Sequence, residues 1–101
     1  MKSVAIIGAG ITGLTAAFYL KRKGVLVTVY EAGGRVGGVI QSIRKDGFLD
    51  EFGPNTILET SPKISQLVRD AGLESRRLNT SPNAEARFIV RGRRPLAGGL
   101  G

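Results

Sequence analysis

The 101-residue chain has no cysteine, no histidine and no tryptophan, and only one methionine. Without cysteine there can be no disulfide, no thiolate metal site and no thiol nucleophile. Without histidine the commonest general base and metal ligand is gone. These absences argue against a self-contained hydrolase or a zinc enzyme. Acidic residues are sparse as well. Eight Asp and Glu stand against fifteen Lys and Arg, a formal net charge of +7, and the isoelectric point is about 10.6. Such a balance raises the question of a polyanion partner. The positive residues are spread along the chain, however. Lys21, Arg22 and Lys23 fall where the last turn of a helix is expected, and cations suit the helix dipole there. Arg91, Arg93 and Arg94 cluster near the end without the interleaved aromatics of a single-strand platform. A solvated basic face is the better reading, and no nucleic-acid partner is expected.

A long clean hydrophobic run is also missing. The longest uncharged stretch, Ser3 to Leu20, lies between Lys2 and the Lys21-Arg22-Lys23 cluster. It is near the lower limit of about 17 residues for a membrane span. Three glycines and two threonines interrupt it, and no clean cleavage site follows. A signal peptide or anchor would leave those glycines unexplained. The expected compartment is therefore cytoplasmic. The length allows one domain at most, with a modest core.

What the chain does have is glycine, fifteen in all. The most informative of them follow a short apolar run, Val4 to Ile7, which reads as a strand buried on both faces. Gly8-Ala9-Gly10-Ile11-Thr12-Gly13 comes next, then a helical stretch from Ile11 to Lys23. A second apolar run, Val25 to Tyr30, closes on Glu31. Each part has a physical job. Gly8 permits a tight turn out of the strand. Gly10, with no side chain, lets a pyrophosphate approach the backbone, and Gly13 lets the helix pack close to the sheet. Free N–H groups in the first helical turn, aided by the helix dipole, favour a negative ligand. Glu31 lies about twenty residues on, where a carboxylate can accept hydrogen bonds from a ribose diol. A carboxylate there repels a 2′-phosphate, so the pattern favours FAD or NAD over NADP. Within the helix, Leu14, Ala17 and Phe18 mark the sheet-facing side, and Gly24 sits where a left-handed cap belongs.

After Glu31 the pattern departs from an ordinary NAD domain, which would continue with a helix and a third parallel strand. Ala32-Gly33-Gly34-Arg35-Val36-Gly37-Gly38 is too rich in glycine for a helix. It reads as a loop folding back over the nucleotide, with Gly37 and Gly38 exposing backbone amides and Arg35 supplying charge. A flexible linker is the alternative. A hairpin is predicted from Val39–Arg44 and Phe48–Phe52 around Lys45-Asp46-Gly47. Gly53-Pro54-Asn55 then breaks the strand, as an ordinary turn would. A second helix begins at Ser61 as cap and Pro62 as first helical residue. Ile64, Leu67, Val68 and Ala71 form its apolar stripe, and Gly72 ends it. Leu73 to Ala84 reads as irregular. Arg87–Val90 is a predicted strand, Arg91-Gly92-Arg93 a turn, and Arg94-Pro95-Leu96 the start of a return strand. Ala97 to Gly101 reads as a frayed end.

The segments GAGITGLTAAFYL, EAGGRVGGVIQS and GFLDEFGPNTI resemble the amino-terminal part of the FAD-dependent amine oxidase superfamily. Within it, GGVIQS, the GPN tripeptide and ARFIVRGRRPL are most similar to the protoporphyrinogen oxidases. Phytoene-desaturase-like and other amine-oxidase-like enzymes share the first two motifs. The resemblance runs from Lys2 to about Leu96. It implies an α/β Rossmann-like FAD/NAD(P)-binding domain in truncated form, a β-α-β unit plus hairpin and second helix, with residues 1–101 as one partial domain of a longer flavoenzyme. It implies that Gly8, Gly10, Ile11, Thr12 and Gly13 hold the FAD pyrophosphate. Glu31, with Ala32 beside it, would bind the adenosine ribose. Arg35, Gly37, Gly38 and the amide of Val39 would line the nucleotide, and Gly53, Pro54, Asn55 and Thr56 would approach the flavin end. The implied reaction is oxidation of protoporphyrinogen IX to protoporphyrin IX, in haem and chlorophyll synthesis, with oxygen as usual acceptor. Family members are several times longer, so the porphyrinogen and any peripheral membrane contact are expected only of the full-length enzyme. The isolated chain is expected to bind FAD weakly, to turn nothing over, and to self-associate through exposed sheet edges. No residue here is a credible catalytic acid or base. A non-catalytic nucleotide-binding or partner-binding module and a basic nucleic-acid-binding module stand as the readings of a different class.

Overall fold

Strand β1 (Ser3–Ile7), helix α1 (Ile11–Arg22) and strand β2 (Leu26–Tyr30) open the chain in the order the apolar runs predict. The computed structural model describes residues 2–84 and 86–98. β1 and β2 run parallel, with Val4 beside Val27 and Ile6 beside Val29. Parallel strands need a crossover between them, and α1 is that crossover. The pleat then sorts the side chains. Ile6, Val27 and Val29 are half-buried, while Leu26, Thr28 and Tyr30 are exposed. α1 lies over the half-buried side, where Leu14, Ala17 and Phe18 line a groove with Val25, Val27 and Val29. The helix ends as its sequence indicates. Lys21 and Arg22 occupy the last turn, Arg22 reaches back over the Phe18 ring at 5.5 Å, and Gly24 turns the chain at φ +79°.

One expectation is corrected here. The run from Val4 to Ile7 reads as a strand buried on both faces, yet Ile7 is 84% exposed. A parallel sheet hides both faces only where a layer stands on each. Among the described residues of the first compact unit, Met1–Leu58, α1 covers one face and no element covers the other. Ala9 is the one buried hydrophobic residue among those described.

After Glu31 the chain passes through bends to the antiparallel hairpin of β3 (Ser42–Lys45) and β4 (Phe48–Glu51). Asp46 and Gly47 both have positive φ, 53° and 82°, as a tight primed hairpin turn requires. The Ser42 hydroxyl donates to Glu51 Oε2 at 2.5 Å across the pair. The strand does not extend back to Val39 as the sequence reading has it, nor forward to Phe52.

The second compact unit is Glu59–Gly101. Helix α2 (Pro62–Asp70) starts with Pro62 in its first turn, and the Ser61 hydroxyl accepts from the Lys63 amide at 3.3 Å. Ile64, Leu67 and Val68 are half-buried on one side, and Gly72 follows the helix at φ +73°. Arg77 pairs with Glu59. The segment read as irregular contains two short 3-10 turns, Glu74–Arg76 and Pro82–Ala84. Strands β5 (Arg87–Arg91) and β6 (Arg94–Gly98) form a second antiparallel hairpin, with Ile89 beside Leu96 and Phe88 beside Ala97. Ala97 and Gly98 are thus strand rather than frayed end, because Phe88 and Arg87 offer them partners. Residues 99–101 lie outside the described residues. No helix among those described is long and apolar enough to cross a membrane.

Candidate nucleotide-binding site

The site is built where β1 stops and α1 starts. Gly8 takes φ +98°, a conformation that L side chains rarely adopt, and its N–H donates to the Tyr30 carbonyl at 2.7 Å. That bond carries the strand pairing one residue past Ile7. Gly10 is the N-cap of α1 and offers no side-chain cap. A Cβ built on Gly10 would meet nothing within 4 Å, so the space before the helix is open. The first amides of a helix have no intrahelical acceptor, so those of Ile11, Thr12 and Gly13 are donors aimed at that space. No acid sits in the first turn. Gly13 has the opposite surroundings. Its Cβ would stand 2.1 Å from the Gly8 carbonyl oxygen and 3.3 Å from Ile6 Cγ2. Only hydrogen fits there, and the helix approaches the turn for that reason.

Glu31, at the end of β2, reaches the mouth of this turn. Its Oε1 accepts from the Ala9 amide at 2.9 Å, and its Oε2 from the Gly33 amide at 2.7 Å. These bonds hold its carboxyl below the usual glutamate range, Gly33 first and Ala9 next, with the Arg35 charge adding and burial opposing. A carboxylate has about four acceptor positions. Two remain for a diol.

The glycine-rich loop folds against the same turn rather than away from it. Gly37 donates to the Ala9 carbonyl at 2.8 Å. Gly38, at φ +60°, lies so close that a Cβ would stand 3.2 Å from Gly10 Cα. Arg35 does not point into the open space. Its guanidinium donates to the carbonyls of Val36, Gly38 and Ile40 at 3.1, 2.7 and 3.3 Å. Gly53 joins from the far side of the hairpin, where a Cβ would stand 1.8 Å from the Val39 carbonyl oxygen. Pro54, Asn55 and Thr56 run on from it, exposed. Ala32 is exposed beside Glu31.

The structure therefore brings together Gly8, Gly10, Ile11, Thr12, Gly13, Glu31, Gly37, Gly38 and Val39, and places Gly53 behind the last of them. Two contributors went unread in the sequence. Ala9 gives Glu31 its amide and Gly37 its carbonyl, and Gly33 gives Glu31 a second amide. The available signal was size, since a position packed between two glycines of a turn tolerates only a small side chain. The arrangement of uncapped helix amides, an open approach at Gly10 and a fixed carboxylate suits a ligand with a phosphate at one place and a hydroxylated sugar beside it.

Comparison with known proteins gives the same direction. The flavin containing amine oxidoreductase family matches residues 11–97. Protoporphyrinogen oxidase 2, chloroplastic/mitochondrial, of Arabidopsis thaliana is 41% identical over 95 residues, which cover 94% of this chain and 18% of that protein. Coproporphyrinogen III oxidase of Staphylococcus aureus (strain NCTC 8325 / PS 47) is 43% identical over 100 residues, 97% of this chain and 22% of that protein. A crystal structure from Exiguobacterium sp. 255-15, assigned as a protoporphyrinogen oxidase, superposes with a TM-score of 0.65 at 38% identity, covering 73% of this chain and 17% of that one. The chain spans about a fifth of the length of these relatives. Its parallel β1–α1–β2 unit is the opening of a Rossmann-like dinucleotide-binding domain, and with its match over residues 11–97 the chain belongs to the flavin containing amine oxidoreductase family.

Proposed function

We propose that this chain provides the adenosine and pyrophosphate end of an FAD site in a porphyrinogen-oxidising flavoenzyme, with residues 1–101 as part of its FAD-binding domain. The observation that supports the reading is the Glu31 carboxylate accepting from the Ala9 amide at 2.9 Å, an acid at the mouth of the turn where a ribose beside a turn-bound phosphate would need one. Gly8, Gly10 and Gly13 shape that turn, and the amides of Ile11, Thr12 and Gly13 donate to the pyrophosphate. Ala32 stands beside the ribose. Gly37, Gly38 and Val39 form the opposite wall, held by Arg35, and Gly53 through Thr56 lead toward the flavin end. FAD, when bound, supplies a ring that accepts a hydride, and the protein positions it. This chain's part is to bind, to orient and to keep the charged groups of the nucleotide paired.

The substrate class rests on the names of the relatives, one a protoporphyrinogen oxidase and one a coproporphyrinogen III oxidase. Oxidation of a porphyrinogen such as protoporphyrinogen IX to its porphyrin is the reaction assigned to the longer protein. Contacts to that substrate belong to the length of the relatives that this chain does not span. Equilibrium titration of the chain with FAD, FMN and NADP⁺ tests the reading. FAD is expected to bind with a Kd on the order of 10–100 μM, about −6 kcal/mol. FMN lacks the adenosine half and is expected to compete poorly. NADP⁺ places a 2′-phosphate against Glu31 and is expected not to bind. Equal binding of FMN, or tighter binding of NADP⁺ than of FAD, contradicts it.

A further inference from the structure

Arg35 is the one cation on the glycine-rich loop, and a charge beside a phosphate site invites the reading that it neutralises the ligand. The hydrogen bonds point elsewhere. Nη1 donates to Val36 O and Ile40 O, and Nη2 to Gly38 O at 2.7 Å. Three carbonyls of one short turn thus converge on one guanidinium, whose planar fork of five N–H donors suits that task.

The consequence follows from peptide geometry. In a trans peptide the C=O of one residue and the N–H of the next point in opposite directions. With the Val36 carbonyl drawn to Arg35, the Gly37 N–H faces away and donates to Ala9 O at 2.8 Å. With the Gly38 carbonyl drawn to Arg35, the Val39 N–H faces away as well, and it has no protein acceptor among the described residues. Gly38 meanwhile lies against Gly10, where a Cβ would come within 3.2 Å of Gly10 Cα. The free Val39 amide is therefore carried on a turn that is pinned beside the open approach at Gly10.

We propose that Arg35 is a positioning residue of the dinucleotide cradle, which fixes the 36–40 turn against Gly10 and presents the Val39 amide to the nucleotide, its own charge being directed at backbone carbonyls and not at a phosphate. The proposal rests on the FAD reading above. It assigns to Arg35 a role that a lysine cannot fill, because an ammonium lacks the planar fork that spans three separate carbonyls.

The test uses the whole 101-residue chain as wild type, Arg35→Lys and Arg35→Met, in two arms. The first needs no nucleotide. Amide hydrogen exchange at Gly37 is compared with that at Gly8, whose N–H is bonded to the Tyr30 carbonyl. In both variants Gly37 is expected to exchange about tenfold faster, the loss of roughly one charge-assisted hydrogen bond's worth of protection, with Gly8 unchanged. In the second arm the Kd for FAD is measured as a function of salt. Both variants are expected to lose affinity by the same factor, about tenfold, with a salt slope equal to that of wild type. Wild-type affinity in Arg35→Lys, or a shallower salt slope in Arg35→Met, overturns the proposal, since the charge would then be acting on a phosphate. Unchanged Gly37 exchange overturns it too, as does equal loss of protection at Gly8, which would make Arg35 a general support of the unit. A wild-type chain that fails to bind FAD ends the functional reading, and the Gly37 comparison still decides the role of Arg35.

Discussion

Glu31 sits in a small electrostatic well made by backbone. Two amides, those of Gly33 and Ala9, donate to its carboxylate and outweigh the opposing effect of burial, with a lesser favourable contribution from the Arg35 charge. The folded chain thus holds this carboxyl below its ordinary value. The linkage then has one sign. The stabilisation is present above the unfolded glutamate value of about 4.3 and is lost as pH falls through the lower folded value. The amide resonances of Ala9 and Gly33 are expected to titrate together in that acid range, and Glu31→Gln is expected to abolish the titration, as NMR of the labelled chain can check. The same variant leaves one of the two amides without an acceptor and loses an acceptor for the ribose, so its FAD affinity at neutral pH is expected to fall about tenfold. Gly13 offers a steric test. Gly13→Ala forces a methyl to within 2.1 Å of the Gly8 carbonyl, so α1 must shift, at a cost of about 1–3 kcal/mol in urea unfolding. Gly24→Ala, with nothing within 4 Å but φ +79°, is expected to cost only about 1 kcal/mol. At this scale the three glycines and Glu31 were legible, because each has a local steric or charge signal. The acceptors of Arg35 were not, because a sequence shows a charge and not which carbonyls turn toward it.

The elements were legible where their signals are local. The β1–α1–β2 unit follows from two apolar runs, a glycine turn and a basic last turn. The β3–β4 turn follows from Asp46-Gly47, and α2 from its Ser61-Pro62 start. The start of β3 was misread at Val39 for a physical reason. The carbonyls of Gly38 and Ile40 accept from Arg35, and the Val39 carbonyl lies against Gly53. Residues so engaged are not free to enter a ladder; the Phe52 N–H donates to the Gln41 carbonyl at 2.8 Å, and the strand itself begins at Ser42. The extent of β6 was missed from the other side, since Ala97 and Gly98 carry little strand preference of their own and are placed by Phe88 and Arg87. The cap of α2 gives the prediction proper to this scale. Ser61→Ala removes the acceptor for the Lys63 amide and is expected to destabilise the helix by about 1 kcal/mol, seen as lost helical signal in circular dichroism and faster amide exchange over residues 63–70.

At the scale of the whole molecule, what the described residues leave exposed matters as much as what they bury. Ile7 and Tyr30, exposed by 84 and 57%, lie on the face of the parallel pair opposite α1. Apolar runs in the sequence announced that this face is meant to be covered, and could not say by what. Uncovered apolar faces and unpaired strand edges invite association. Sedimentation velocity is expected to show concentration-dependent self-association of the wild-type chain, reduced in Ile7→Lys. A strictly monomeric chain that binds FAD tightly would contradict this expectation. The account stands on the claim that the Gly8–Gly13 turn and Glu31 form one cradle for an adenine dinucleotide. Its most direct test is amide chemical-shift mapping of the labelled chain on addition of FAD. The account predicts the largest shifts at Gly10, Ile11, Thr12 and Gly13, with Ala9, Gly33 and Val39 next. Shifts that leave those amides still and gather instead on Arg91, Arg93 and Arg94 would contradict it.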